Sequence, residues 1–400
     1  MKYGLMYYKA TDNIGDDIQT YVAKKYLPQI DYYIDREALS CFVPKQKETV
    51  AMIMNGWFIH NKIAWPPSPY IKPLLISMHF KDLENTDVGD SYLKGYGGEV
   101  LKKYGPVGAR DSETKKRLEK NGITSYFSGC MTLTLEKFEN IQKKNKICIV
   151  DVSDEVTEKI RESTDTEIEI LTHVLNSEES EKKSIEQRMN DVEILLKKYQ
   201  EAKLVITTRL HVALPCVALG TPVIVVHKAN FDKDRLGTFF EMFENYLEED
   251  FLSMNIKDIL QNPKANNNKY LEIKEDLNKR CIDFIENCRT SDLNELPEIE
   301  EYRQYAQKVE WYKGIYEKER LALENIEHKR VQEYKLYHKE LEKIQKVNAE
   351  LQEKENMLNI KLNDKIELQK ELEKAKEELS NIYNSKGWKY LEKVRKVLYE

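Results

Sequence analysis

In the stretch TTRLH, Arg209 and His211 stand two residues apart, between the apolar runs Leu204 to Ile206 and Val212 to Leu219. An arginine binds carboxylates and phosphates through paired, charge-assisted hydrogen bonds. A histidine titrates near neutrality and can give or take a proton. Flanking so apolar a stretch, the two either pair internally or hold a ligand. Arg110 repeats the situation after Val107 to Ala109, where it either joins a salt bridge with Asp111 or a neighbouring acid, or faces an anion. Asn13, Gly15 and Asp16 fall in a polar turn after the apolar run Tyr3 to Tyr8. Asn55-Gly56-Trp57-Phe58 follows Val50 to Met54, with His60 close behind. A glycine and two aromatics there form either a sugar-stacking surface or a packed loop. Lys233 and Arg235 lie beyond the last strong apolar run, Val223 to Val226.

These residues need elements that bring them together. Leu204 to Ile206 suits a strand covered on both faces. Val212 to Leu219 has no solvated side and predicts a buried helix, stopped by Gly220, with Pro222 returning the chain to a strand. Thr11 to Gly15 predicts a tight turn, with a helix capped at Asp16 or Asp17. It is not a G-x-G-x-x-G fingerprint, so it gives no argument for a dinucleotide. Further strands are expected at Val50 to Met54, Leu74 to Met78, Val107 to Ala109, Tyr126 to Leu135, Lys146 to Asp151 and Glu167 to Thr172. Helices are expected at 91–104, after Asp111 or Ser112, and at 178–199, 256–261 and 269–288. Residues 136–146 read as a linker. Strands alternating with helices on both sides of it predict an α/β protein with two Rossmann-like parallel-sheet domains, 1–140 and 141–290. In such sheets ligands bind outside the carboxyl ends of the strands, where Arg110, Arg209 and His211 fall.

The chain has 400 residues, of which 33% are charged, and its net charge is only -6. Nothing in that balance attracts nucleic acid. Six cysteines form no C-x-x-C pair and read as buried thiols of a cytosolic protein rather than metal ligands or disulfides. The N-terminus reads as a strand rather than a leader, and no apolar run is long enough to span a bilayer.

Residues 291–383 are rich in Glu, Lys, Gln and Leu. Ile344, Leu351, Leu358, Leu372 and Leu379 keep a seven-residue step, broken by Lys365. This predicts a long helical coiled coil, a stalk that would join copies of the chain, against the alternative of a solvated single helix or hairpin. In the tail, 384–400, Trp388, Leu391, Val394 and Leu398 share a face, while Lys386, Lys389, Lys393, Arg395 and Lys396 carry positive charge. A basic amphipathic helix of this kind suits a membrane surface or a partner groove.

Several of these pieces together resemble the polysaccharide pyruvyl transferase family over residues 1–245. They are Asn13-Ile14-Gly15-Asp16, Gly108-Ala109-Arg110-Asp111, Ser128-Gly129-Cys130 with Thr132-Leu133-Thr134, and Arg209-Leu210-His211 followed by Gly220-Thr221-Pro222. The resemblance implies a GT-B-like arrangement of the two domains. It also implies transfer of the enolpyruvyl unit of phosphoenolpyruvate to a sugar hydroxyl of a cell-surface glycan or lipid-linked oligosaccharide, as a pyruvate ketal. Arg110 and Arg209 would then bind phosphoenolpyruvate, and His211 would lie at the reacting centre, as general acid or alternatively as base. Asp16 would orient the acceptor or a partner arginine, and Asn13, Gly15, Asn55 and Lys233 would line the substrate site. No metal or cofactor is implied. Where family members carry a glycine-rich turn, this chain has Asn55-Gly56-Trp57, which leaves the acceptor site open. Ser385-Lys386-Gly387-Trp388-Lys389 with Arg395 resembles a short motif found beside coiled coils in bacterial surface-glycan glycosyltransferases, without its usual proline. Together these features imply an enzyme of the cytoplasm, peripheral at the inner face of the cell membrane. The alternatives are a glycosyltransferase using a nucleotide sugar in the same cleft, and a non-catalytic glycan-binding scaffold.

Overall fold

Short apolar runs rich in Val, Ile and Met become strands, and each polar turn that follows starts a helix. The computed structural model describes residues 1–58, 65–80, 93–231, 235–290 and 298–399. They form two units, Met1–Glu317 and Lys318–Glu400. His60 and Lys233 lie outside the described residues.

The first unit holds two sheets. In the first half run β1 (Lys2–Tyr7), α1 (Ile14–Lys24), β2 (Tyr32–Asp35), β3 (Val50–Phe58), β4 (Ile71–Phe80), α2 (Gly95–Lys103), β5 (Val107–Ala109), α3 (Ser112–Lys120) and β6 (Ser125–Phe127). In the second run β7 (Lys144–Val150), α4 (Asp154–Ser163), β8 (Glu167–Leu171), α5 (Ser177–Lys182), α6 (Ile185–Glu201), β9 (Ala202–Thr207), α7 (Leu210–Leu219), β10 (Val223–His227) and β11 (Glu244–Leu247). Helices α8 (Glu248–Ser253), α9 (Lys257–Gln261) and α10 (Tyr270–Thr290) follow. The strand orders are β2-β1-β3-β4-β5-β6 and β11-β10-β9-β7-β8. All pairings between these strands are parallel. The chain reverses its direction across the sheet between β1 and β3, and again between β7 and β9. These are the crevices where doubly wound sheets bind ligands. The expected fold, two α/β halves on parallel sheets, is the one observed.

Three local expectations change. β3 runs on to Phe58, so Asn55-Gly56-Trp57 lies inside a strand rather than after it, with a register irregularity between Met54 and Gly56. Only Ser125–Phe127 of the 126–135 stretch is a strand, because Met131–Thr134 winds into a buried 3-10 turn. The single helix expected at 178–199 is two, since Ser184 and Gln187 form a capping box that restarts the chain as α6. Five cysteines are buried, but Cys41 is exposed.

The two halves share a core. Ile14, Ile18 and Val22 of α1 belong to the same buried cluster as Val192, Leu195 and Leu196 of α6 and Val212 and Ala213 of α7. Every residue of α7 is buried, as its composition predicts, and Gly220 closes it in the left-handed conformation at φ 72°. The first turns of α11 (Glu298–Asn384) also pack into this unit. Tyr312 Oη donates to the Trp65 carbonyl at 2.8 Å, and the buried Lys308 reaches the Ser40 carbonyl.

In the second unit, the rest of α11 is followed by α12 (Lys386–Tyr399). Ile344, Leu351, Leu358, Leu372 and Leu379 are all exposed. Among the described residues no helix is long and apolar enough to cross a membrane.

Candidate active site

The site begins at the start of α1. Asn13 caps the helix, its side chain accepting from the Gly15 N–H at 3.0 Å. Thr11 donates to the Asp16 carboxylate at 2.9 Å, which closes the turn. Gly15 is needed for close approach: a Cβ there would lie 3.0 Å from His211 Cβ and 3.1 Å from its Nδ1. The first half's polar turn therefore packs directly on the histidine of the second half.

The strand ends of the first sheet supply cations. Arg110, after β5, is 1% exposed. Its Nε forms an ion pair with Asp111 Oδ2 at 3.7 Å, and among the described residues Nε and Nη1 make no hydrogen bond. Asp111 is committed elsewhere. It caps α3 through the Thr114 N–H at 2.9 Å and holds His79 Nδ1 at 2.7 Å. Burial alone would raise the Asp111 carboxyl, but the bond to His79, the charges of His79 and Arg110 and the cap N–H hold it well below the usual range. His79 stands at the end of β4, fully buried, with Nε2 unpartnered. Burial, with Arg110 beside it, lowers its pKa to about 4.

Around this pair, Arg36 lies 4.3 Å over the Tyr8 ring and donates to the Trp57 carbonyl at 2.9 Å. Trp57 meets His79 edge-on at 5.8 Å, with the Arg235 guanidinium 6.0 Å from its ring centre. Gly56, at φ 131°, leaves room for Tyr8, whose hydroxyl would lie 2.1 Å from a Cβ there.

From the second sheet come Arg209 and His211. Arg209 precedes α7 and donates from Nε to Asp151 Oδ2 at 3.1 Å. Among the described residues its terminal nitrogens make no further hydrogen bond, and the side chain is 38% exposed. It both pairs internally and keeps a face for a ligand. His211 is buried, with Nε2 unpartnered. Burial, then Arg110 and Arg235, then His173 and His79, push its pKa well below the ordinary value. Its surroundings therefore favour the uncharged imidazole over the imidazolium.

Gly15 and its turn, with Asn13 and Asp16, meet His211 across the two halves, Arg110 is near enough for its charge to act on that ring, and Arg209 stands two residues before it. Asn55 sits differently. It is buried and donates to the Gln19 carbonyl at 3.2 Å, tying β3 to α1. Sequence reasoning did not assign His79, Arg36 or Tyr8. His79 follows the same rule as Arg110, a polar group at a parallel strand's carboxyl end, and that signal was available. Arg36 lies in a 3-10 turn with no periodic pattern to mark it. A cavity of about 850 Å³ lies between α2 and the first turns of α11 and touches none of these groups. The unpartnered buried polar atoms mark the chemistry better than cavity size does. Among the described residues no three His, Cys, Asp or Glu side chains are placed to hold a metal ion.

The chain belongs to the polysaccharide pyruvyl transferase family, whose model it matches over residues 13–226. It is thus a transferase whose family acts on glycans. No curated protein matches the chain. Two solved structures are similar to it. An uncharacterised protein of Klebsiella pneumoniae subsp. pneumoniae NTUH-K2044 is 16% identical, over 58% of this chain and 86% of that chain, with a TM-score of 0.36. The UDP-GlcNAc 2-epimerase of Methanocaldococcus jannaschii, in complex with UDP-GlcNAc and UDP, is 13% identical, over 73% of this chain and 100% of that chain, with a TM-score of 0.40.

Proposed function

We propose that this enzyme transfers the enolpyruvyl unit of phosphoenolpyruvate to a sugar of a cell-surface or lipid-linked glycan, forming a pyruvate ketal. The observation that carries the reading is Arg110, a buried guanidinium two of whose nitrogens make no hydrogen bond among the described residues, with Asp111 3.7 Å away as an ion-pair partner. Leaving a charged group so placed costs free energy unless an anion fills the position. Phosphoenolpyruvate carries both a phosphate and a carboxylate. Arg110, Arg209 and Arg235 supply enough positive charge for the two.

Burial and the charges of Arg110 and Arg235 lower the proton affinity of His211. The phosphate and carboxylate of a bound donor offset Arg110 and Arg235, and the imidazole then gains affinity for a proton. His211 so charged delivers that proton to the methylene carbon, which becomes the methyl group. The cationic C2 is attacked by a sugar hydroxyl, whose proton passes to His79, the imidazole backed by Asp111. The bond from C2 to the phosphate oxygen then breaks, and phosphate leaves. A second hydroxyl closes the ketal, and its proton departs with phosphate. Asp16 acts through Thr11 and the charge of Arg36, holding the α1 turn against His211.

The heptad spacing of the exposed apolar residues in α11 supports a coiled coil between copies. The basic face of α12 supports attachment at an anionic membrane surface on the cytoplasmic side.

Calorimetry tests the donor. Phosphoenolpyruvate is expected to bind the wild-type chain, and Arg110→Met to weaken it at least ~100-fold, the loss of two charge-assisted hydrogen bonds. Binding of UDP-GlcNAc in place of phosphoenolpyruvate would sink the reading.

A further inference from the structure

A cavity of about 450 Å³ lies at the carboxyl ends of β7, β9 and β10, separate from the cluster around Arg110. Its size is ordinary for a small-molecule site, and it sits at the second sheet's switch point. It adjoins the proposed chemistry through two residues. Asp151 lines it and is the ion-pair partner of Arg209. Thr208 lines it and directly precedes Arg209.

We infer that this cavity binds a neutral pyranose ring of the acceptor glycan, an inference that rests on the transferase reading above for its place in the reaction. One wall is aromatic. The half-buried Phe231 packs 4.1 Å from the His227 ring and 5.2 Å from Phe240, which fixes its plane. A rigid ring face, extended by Val152, Val156, Val226 and Leu236, suits the C–H face of a sugar. The opposite chemistry is hydroxyl recognition. Glu248 bonds Ser153 through Oε1, and among the described residues Oε2 makes no hydrogen bond. Thr208 donates to the Asp151 carbonyl at 2.8 Å, so its oxygen keeps lone pairs for a hydroxyl donor.

The charge excludes the other common ligand of such a position. The start of α4 borders the cavity, but its first turn carries Asp154 and Glu155. With Asp151 and Glu248 they outnumber Lys228, the cation lining the cavity. A phosphate or nucleoside diphosphate is repelled here and attracted to Arg110, Arg209 and Arg235 instead. Donor and acceptor are thus sorted by charge into adjoining compartments that meet at Arg209.

Saturation-transfer NMR on the full-length chain tests this with the methyl glycosides of glucose, galactose, mannose and N-acetylglucosamine. At least one is expected to bind. Phe231→Ala and the isosteric Glu248→Gln are each expected to weaken it about 10-fold, while leaving calorimetric binding of phosphoenolpyruvate unchanged. Circular dichroism of each variant checks that it is folded, and Glu248→Gln suffices if Phe231→Ala is not. No binding by any of the four, unchanged binding in Glu248→Gln, or displacement of the glycoside by uridine diphosphate would each overturn the inference. Sugar binding that persists where phosphoenolpyruvate fails to bind would uphold the pocket and remove only the donor assignment.

Discussion

At Arg110, His79 and His211, buried polar atoms make no hydrogen bond among the described residues, an arrangement that costs stability. The same burial makes stability depend on pH. His79 and His173 have pKa values lowered to about 4, both by burial first. In the unfolded chain they titrate near 6.5. Between those values the unfolded state binds more protons than the native one, so stability rises with pH. The contribution is complete above about pH 6.5 and is lost as the pH falls toward 4. Urea midpoints measured from pH 7 to 4.5 are expected to fall on acidification. His173→Asn should flatten that slope by up to about 1 kcal/mol per pH unit, since one titrating group is removed. An unchanged slope would mean that His173 is not held neutral.

Among the elements, α1 joins the two halves most directly. Its start is bonded to the segment after β8: the Ile14 N–H donates to the His173 carbonyl at 3.0 Å, and the Leu175 N–H to that of Asp12 at 2.7 Å. Asp17 of α1 pairs with Arg188 of α6, both buried, and Arg188 also donates to the Tyr8 carbonyl at 2.6 Å. Arg188→Met strands the Asp17 charge, at a cost of about 3–5 kcal/mol. The expected result is a melting temperature lower by several degrees, partly restored by Asp17→Asn in the same chain. A variant as stable as wild type would show that the clamp contributes nothing. The clamp also bears on the site, because it fixes the helix whose Gly15 touches His211.

For the molecule as a whole, the two halves of the first unit are joined by a shared hydrophobic cluster, beside clusters that belong to each sheet alone. The first turns of α11 belong to that unit through Lys308, Trp311 and Tyr312. A cut intended to remove the stalk therefore belongs after Glu317. Exposed leucines at heptad spacing are expected to associate the full-length chain. Sedimentation velocity should find an oligomer for the full chain and a monomer for residues 1–317. A monomeric full-length chain would contradict the coiled coil.

The sequence by itself determined what depends on local pattern. Apolar runs of strand length, the all-apolar helix Val212 to Leu219 and the glycine after it specify parallel strands and buried crossings without reference to the rest of the chain. The same rule placed Arg110, Arg209 and His211 at strand ends. Tertiary structure alone decided what depends on distant neighbours. The sequence could not say that Gly15 must be small because His211 lies against it, or that Asn55 bonds α1. Nor could it say that Arg209 has Asp151 as a partner while Arg110 lacks a hydrogen bond at Nε. The surroundings of His211 are the clearest case. Its type suggests a group that titrates near neutrality, but burial and then Arg110 and Arg235 lower its pKa, and those charges reach it only through the packing of two sheets.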